Sequence, residues 1–222
     1  MKRFRICLLV FLLLLCSGCA AAGLPADGNA GADRTKTIPD AQDGLVFSIT
    51  TFDGRSESAP FVPCLGHTWL SLDNRAGHPV TLNDYEIGDG ETLTFSIWAI
   101  SGHRGVFYNL EPQFIRQYQR YAGRRSLHMS IDEAQIPVIE RYIREHDRWT
   151  LTQNCSRWSV ALWNALAGEA YALKTPALLC TPARLQRAFD GFDCVELDRD
   201  FSGAGEIFFY QDGVRKELQL CA

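Results

Sequence analysis

From residue 45 the chain breaks into short runs in which apolar and polar side chains alternate. Residues 45–52 are rich in β-branched and aromatic types, and residues 67–74, 79–88, 92–100 and 104–111 repeat the habit. Turn-forming clusters such as residues 74–79 and 88–91 separate them. Strands at a spacing of about ten residues, punctuated by Gly, Asn and Asp, predict an antiparallel sheet.

The period then changes. In residues 112–123, Phe114, Ile115, Tyr118 and Tyr121 fall at helical spacing, and Gly123 closes the run. Ser130-Ile131-Asp132-Glu133 resembles a capping box that opens residues 134–147, where Ile136, Ile139, Tyr142, Ile143 and His146 share a stripe. Pro137 is tolerated only in a first turn, which pulls the expected start back toward Asp132. Residues 155–168 repeat the stripe with Trp158, Leu162, Trp163 and Leu166 and close at Gly168. Thr181-Pro182 reads as an N-cap with proline at the first helical position, opening a helix to Gly191. Residues 205–213 predict a last strand. Strands first, helices next and a late strand give an α+β fold in one domain spanning 44–222. No internal repeat interrupts it.

The N-terminus follows other rules. Lys2, Arg3 and Arg5 precede ten apolar residues, 6–15. Ten residues make about 15 Å of helix, half the hydrocarbon core of a bilayer, so the run predicts a signal peptide over 1–18 and not a span. Ser17-Gly18-Cys19 resembles a bacterial lipobox, which implies lipid attachment at Cys19; Cys16 stands where leucine is more usual. Residues 19–43, poor in large apolar side chains, predict a flexible tether. The expected location is the bacterial cell envelope, lipid-anchored to a membrane. A net charge of -4 and a sequence pI near 5.7 argue against a nucleic-acid partner.

Chemistry concentrates in two places. Cys155 stands immediately before an amphipathic helix, where the helix dipole favours the thiolate. His67 opens a strand whose alternation puts Leu70 and Leu72 on one face and His67, Trp69 and Ser71 on the other. An imidazole beside the sulfur would act as general base and acid. Either residue alone is more often structural. His103, His128 and His146 lack ligand spacing, so no metal and no cofactor is expected. Arg124-Arg125 reads as a solvated loop.

The Gly66-His67-x-x-Leu70 strand, followed much later by Asn154-Cys155-Ser156-x-Trp158 opening a helix, resembles the circularly permuted papain-like hydrolases. These are relatives of the NlpC/P60 peptidases with a layout like that of the LRAT-like acyltransferases. The resemblance covers roughly residues 44–190. It implies Cys155 as nucleophile, His67 as its base and the Cys155 N–H in an oxyanion hole shaped by Asn154 or Gln153. A third residue should orient His67; Asn109 and His78 are the candidates. The implied reaction is hydrolysis of an envelope peptide amide, in peptidoglycan or protein. The alternatives are an acyltransferase or thioesterase with the same pair, or a non-catalytic envelope lipoprotein that binds a partner. Of the eight cysteines, Cys64, Cys180, Cys194 and Cys221 remain for disulfides, with three pairings open.

Overall fold

Strand β1 (Gly44–Phe52) pairs antiparallel with β2 (His67–Arg75), from Gly44 opposite Arg75 to Phe52 opposite His67. The computed structural model describes residues 36–38, 43–54, 66–100, 102–175, 180–201, 205–211 and 214–218. A small hairpin, β3 (Val80–Leu82) and β4 (Tyr85–Ile87), leads to β5 (Thr92–Ile100), which lies along β2, and β6 (His103–Tyr108), which lies along β5. On the far side of β1 comes β7 (Arg125–Ile131). With β8 (Glu196–Leu197), β9 (Phe208–Gln211) and β10 (Val214–Glu217) these strands form one antiparallel sheet, ordered β10-β9-β6-β5-β2-β1-β7-β8.

Four helices complete the α+β fold among the described residues. They are α1 (Leu110–Tyr118), α2 (Ile136–Glu145), α3 (Cys155–Tyr171) and α4 (Pro182–Ala188). The pleat decides what each sheet face carries. One face presents Phe47, Ile49, Leu70, Leu72, Leu93, Phe95 and Leu127, all fully buried. They join Ile139, Trp158, Leu162, Trp163 and Leu185 of α2, α3 and α4 in the main apolar core. The opposite face carries Phe52 and Trp69, which pack with Tyr121 and Phe201 against Phe114 and Ile115 of α1. Next to this aromatic cluster the same face is polar. Arg199 reaches across it, donating to the Ser48 hydroxyl and the Asp73 carboxylate.

Several expectations need revision. β7 replaces the solvated loop expected at Arg124-Arg125. The Arg124 guanidinium is buried and donates to the carbonyls of Asp198 and Arg199. Ser130 lies within β7, so the cap belongs to Asp132, whose N–H donates to the Gln135 side chain at 3.0 Å. A 3-10 turn at Glu133–Gln135 leads into α2 and puts Pro137 in the first turn, where its missing N–H costs nothing. α1 ends at Gln119, whose left-handed backbone stops the helix before Gly123. α4 closes at Ala188, and a 3-10 turn carries the chain to Gly191. Residues 36–38 of the stretch read as a tether are described. Lys36 bridges to Phe192, and Ile38 is buried in the main core. The signal peptide and Cys19 lie outside the described residues.

Candidate active site

The sequence places Cys155 at the first position of α3, and the cap explains why the helix begins there. The Asn154 side chain accepts from the Arg157 N–H at 3.0 Å, and its carbonyl accepts from the Trp158 N–H at 2.9 Å. The Asn154 amide donates to the Cys180 carbonyl at 2.9 Å, which ties the helix start to the segment before α4. The thiol therefore sits at a fixed helix N-terminus. The Cys155 N–H, which has no intrahelical acceptor at this position, adjoins it.

His67, at the start of β2, meets this terminus. Gly66 is what lets the strand come so close. A Cβ there would lie 2.4 Å from the Phe52 carbonyl oxygen and 2.9 Å from Cβ of Pro182. The imidazole and the Cys155 thiol are close enough for each to shift the titration of the other. The imidazole Nε2 faces Oε1 of Glu111 at 3.0 Å. Trp98 covers the ring, with centroids 4.0 Å apart, and Trp69 stacks farther off at 5.8 Å.

Glu111 is the residue that holds the far side of the ring. It is fully buried in the first turn of α1, and its carboxylate also accepts from Trp98 Nε1 at 2.8 Å and Thr94 Oγ1 at 3.1 Å. Three donors and a helix N-terminus offset the cost of burying the charge. Neither residue expected in this role fills it. Asn109 is buried one turn away in a left-handed conformation, accepting from the Thr94 N–H and donating to the Glu206 carbonyl. It shapes the strand-to-helix corner that delivers Glu111. His78 is exposed and pairs with Glu133 at 2.9 Å. A sequence signal for Glu111 exists: it falls on the same helical stripe as Phe114, Ile115 and Tyr118, an acid on a buried face.

The electrostatics follow from these contacts. Burial alone would push the His67 pKa down. The negative charge and hydrogen bond of Cys155, then those of Glu111, outweigh it and hold the ring at about 9. Burial pushes the Cys155 thiol up, but the charge and hydrogen bond of His67 prevail. The Thr68 backbone N–H and the Ser156 hydroxyl help, and the thiol ends below its ordinary value. Each of the two groups thus favours the charged form of the other.

The pair opens on a cavity of about 670 Å³. Its walls are mostly apolar and aromatic, with Ile97, Trp98, Phe114, Tyr118, Tyr121 and Trp149 prominent, and Arg120 among the few polar groups. Asn154 lines it, but its amide serves the cap and the tie to Cys180. Gln153 turns away: its amide donates to the His146 carbonyl at 3.3 Å, and it does not line the cavity. Of the two residues expected to shape an oxyanion hole, Asn154 lines the cavity and Gln153 does not. Of the four possible disulfide cysteines, Cys180 and Cys194 are free thiols. Burial raises the Cys180 pKa, so this neighbour of Asn154 stays protonated. Cys64 and Cys221 lie outside the described residues. Among the described residues no cluster of His, Cys, Asp or Glu is placed to hold a metal ion.

Compared with protein-family models, with curated proteins and with solved structures, the chain returned no match.

Proposed function

We propose that this chain is a thiol hydrolase of permuted papain-like layout, in which Cys155 forms an acyl-enzyme and His67, oriented by Glu111, moves the protons. The observation that carries the reading is that Cys155, at a helix N-terminus, and His67, hydrogen-bonded to the buried Glu111, adjoin and line one cavity. The thiolate attacks a carbonyl carbon, and the oxyanion is held by the Cys155 N–H. His67 gives its proton to the leaving nitrogen or oxygen, and a thioester remains. Water then attacks the thioester, losing its proton to His67, and the acid departs as the thiolate–imidazolium pair is restored. The order of His67 before Cys155 agrees with the permuted arrangement.

The proposed substrate is an envelope peptide amide, in peptidoglycan or protein, carrying an apolar group that enters the cavity. The proposed location is the envelope, with Cys19 as lipid anchor. A second reading, an acyl esterase, thioesterase or acyltransferase, is favoured by the aromatic walls, which suit an alkyl chain better than a charged stem peptide. A purely binding role draws no support from a free Cys155 that meets His67. The test compares wild type, Cys155→Ser and His67→Ala on peptidoglycan stem peptides and on acyl esters of increasing chain length. Both variants are expected to lose turnover, and mass spectrometry of the wild type is expected to trap a thioester on Cys155. Equal turnover in wild type and Cys155→Ser on every substrate sinks the proposal. The substrate that is turned over separates the two readings.

A further inference from the structure

Thr51 and Thr68 sit opposite each other in the β1–β2 register, on the face that otherwise carries Ile49 and Leu70. Valine would fill the same space there, so the hydroxyls need an explanation. Thr68 Oγ1 lies 2.8 Å from Ser156 Oγ and 3.1 Å from Thr51 Oγ1, and Thr51 Oγ1 lies 3.3 Å from the Pro182 carbonyl oxygen. All three residues are fully buried. Ser156 follows Cys155 in sequence, and its hydroxyl is among the groups that favour the charged form of that thiol. A line of hydroxyls therefore runs from the residue beside the thiol to a carbonyl on α4.

We propose that Ser156, Thr68 and Thr51 act as a reversible hydroxyl chain that holds the Cys155 thiolate when it is charged and lets it go when it is acylated. The inference rests on the thiol-hydrolase reading of the same site. Each hydroxyl has one proton to give. Pointed toward the sulfur, Ser156 donates to the thiolate, Thr68 to Ser156 and Thr51 to Thr68. Pointed away, Ser156 donates to Thr68, Thr68 to Thr51 and Thr51 to the Pro182 carbonyl. Either orientation leaves one end of the chain unserved, and the end with more negative charge wins. A thiolate draws the chain toward itself; a thioester sulfur, a poor acceptor, releases it to Pro182. As the first residue of α4, Pro182 retains a helix-ladder role for its carbonyl, which makes its release tolerable. No proton changes owner and no bond breaks; only three hydroxyls rotate. Aligned dipoles reinforce one another, so Thr51 and Thr68, which donate to other hydroxyls and not to the sulfur, act as positioning residues for its charge.

The test is the pH dependence of Cys155 alkylation by iodoacetamide in the full chain, read at the Cys155 peptide by mass spectrometry. Ser156→Ala removes the direct donor and raises the midpoint by about one pH unit. Thr68→Val raises it less, and Thr51→Val less again, by roughly half a unit, while Thr51→Ser restores the wild-type midpoint. A purely structural role for Thr51 would change thermal stability without moving the midpoint. A midpoint unchanged in both Thr51→Val and Thr68→Val overturns the chain while leaving the Cys155–His67 pair intact. An ordinary thiol midpoint in the wild type overturns both. Thr68→Val supplies an independent break should Thr51→Val fold poorly.

Discussion

Replacing Glu111 with Gln removes one charge from a site where every neighbour of that charge is a donor. His67 Nε2, Trp98 Nε1 and Thr94 Oγ1 all give hydrogen bonds to the carboxylate. A glutamine presents one oxygen and one NH₂, so at least one of these buried donors faces another donor. A hydrogen bond to a charged group contributes about 1.5–3 kcal/mol, which at 1.36 kcal/mol per unit lowers the His67 pKa by about 1–2 units. The ring, held at about 9 in the wild type, then titrates near neutrality. The imidazolium that stabilises the thiolate is lost on the alkaline side. At pH 8 the imidazolium fraction drops about 2- to 10-fold, with kcat/KM expected to fall in proportion, and the basic limb of the pH–rate profile moves down by the same 1–2 units. The profile is the decisive assay, because a loss of structure lowers its height without moving its limbs. Urea titration reads the orphaned donor separately, as a loss of about 1–3 kcal/mol in stability. If Glu111→Gln leaves the basic limb in place and kcat/KM within twofold, Glu111 does not hold the charge on His67.

Three further outcomes follow from the same geometry. Gly66→Ala forces a Cβ against the Phe52 carbonyl and Pro182; the resulting overpacking is expected to cost about 1–3 kcal/mol by urea titration, with activity falling as His67 moves, and an unchanged midpoint would count against a tight junction there. His78→Ala breaks only an exposed pair with Glu133; kcat/KM should stay at the wild-type value and stability within about 0.5 kcal/mol, and a tenfold rate loss would reinstate His78 as a functional residue. The third outcome concerns pH. The His67 contribution to stability is complete below its unfolded pKa of 6.5 and is lost as pH rises through about 9. The Cys155 contribution is present above the ordinary 9.0 of a thiol and is lost as pH falls through its lowered folded value. Where pH lies above 6.5 and between the lowered Cys155 value and 9, the two slopes oppose each other. The stability difference between wild type and the Cys155→Ala/His67→Ala double variant should therefore be flatter there than the difference for either single variant, whereas an equally steep slope argues against an ion pair.

Much of this site was legible as a pattern. Cys155 reads as a helix start because Asn154 precedes an amphipathic run, and His67 reads as a strand start because the pleat separates it from Leu70 and Leu72. These are local rules, and they held. What escaped was set by distant contacts. β7 carries polar residues among its apolar ones because distant segments supply partners that no local window contains: Arg125 donates to the Gln186 carbonyl and the Asp190 carboxylate, and the Ser126 hydroxyl meets that of Thr50 on β1. Glu111 escaped for the same reason. Its partners come from β2 and β5, and only their pairing makes a buried acid tolerable. Asn154 and Gln153, adjacent in sequence, looked equivalent as oxyanion donors. The helix cap assigns one to α3 and turns the other toward His146.

The helix cap, the β2 start and the first turn of α1 together mean that reactivity is a property of the assembled chain. None of the three segments alone makes the thiol unusual. In the unfolded polypeptide Cys155 titrates near 9.0, so at pH 7 roughly one molecule in a hundred carries the thiolate. Pairing β1 with β2 and β2 with β5, together with the seating of α1 and α3, brings together the groups that lower the thiol pKa. The chain thus times its own chemistry: a nascent or misfolded copy has an ordinary thiol, and the activated one reports that the sheet has closed. Cys155 alkylation measured against denaturant concentration should track the global transition, with the sulfur as a built-in folding reporter.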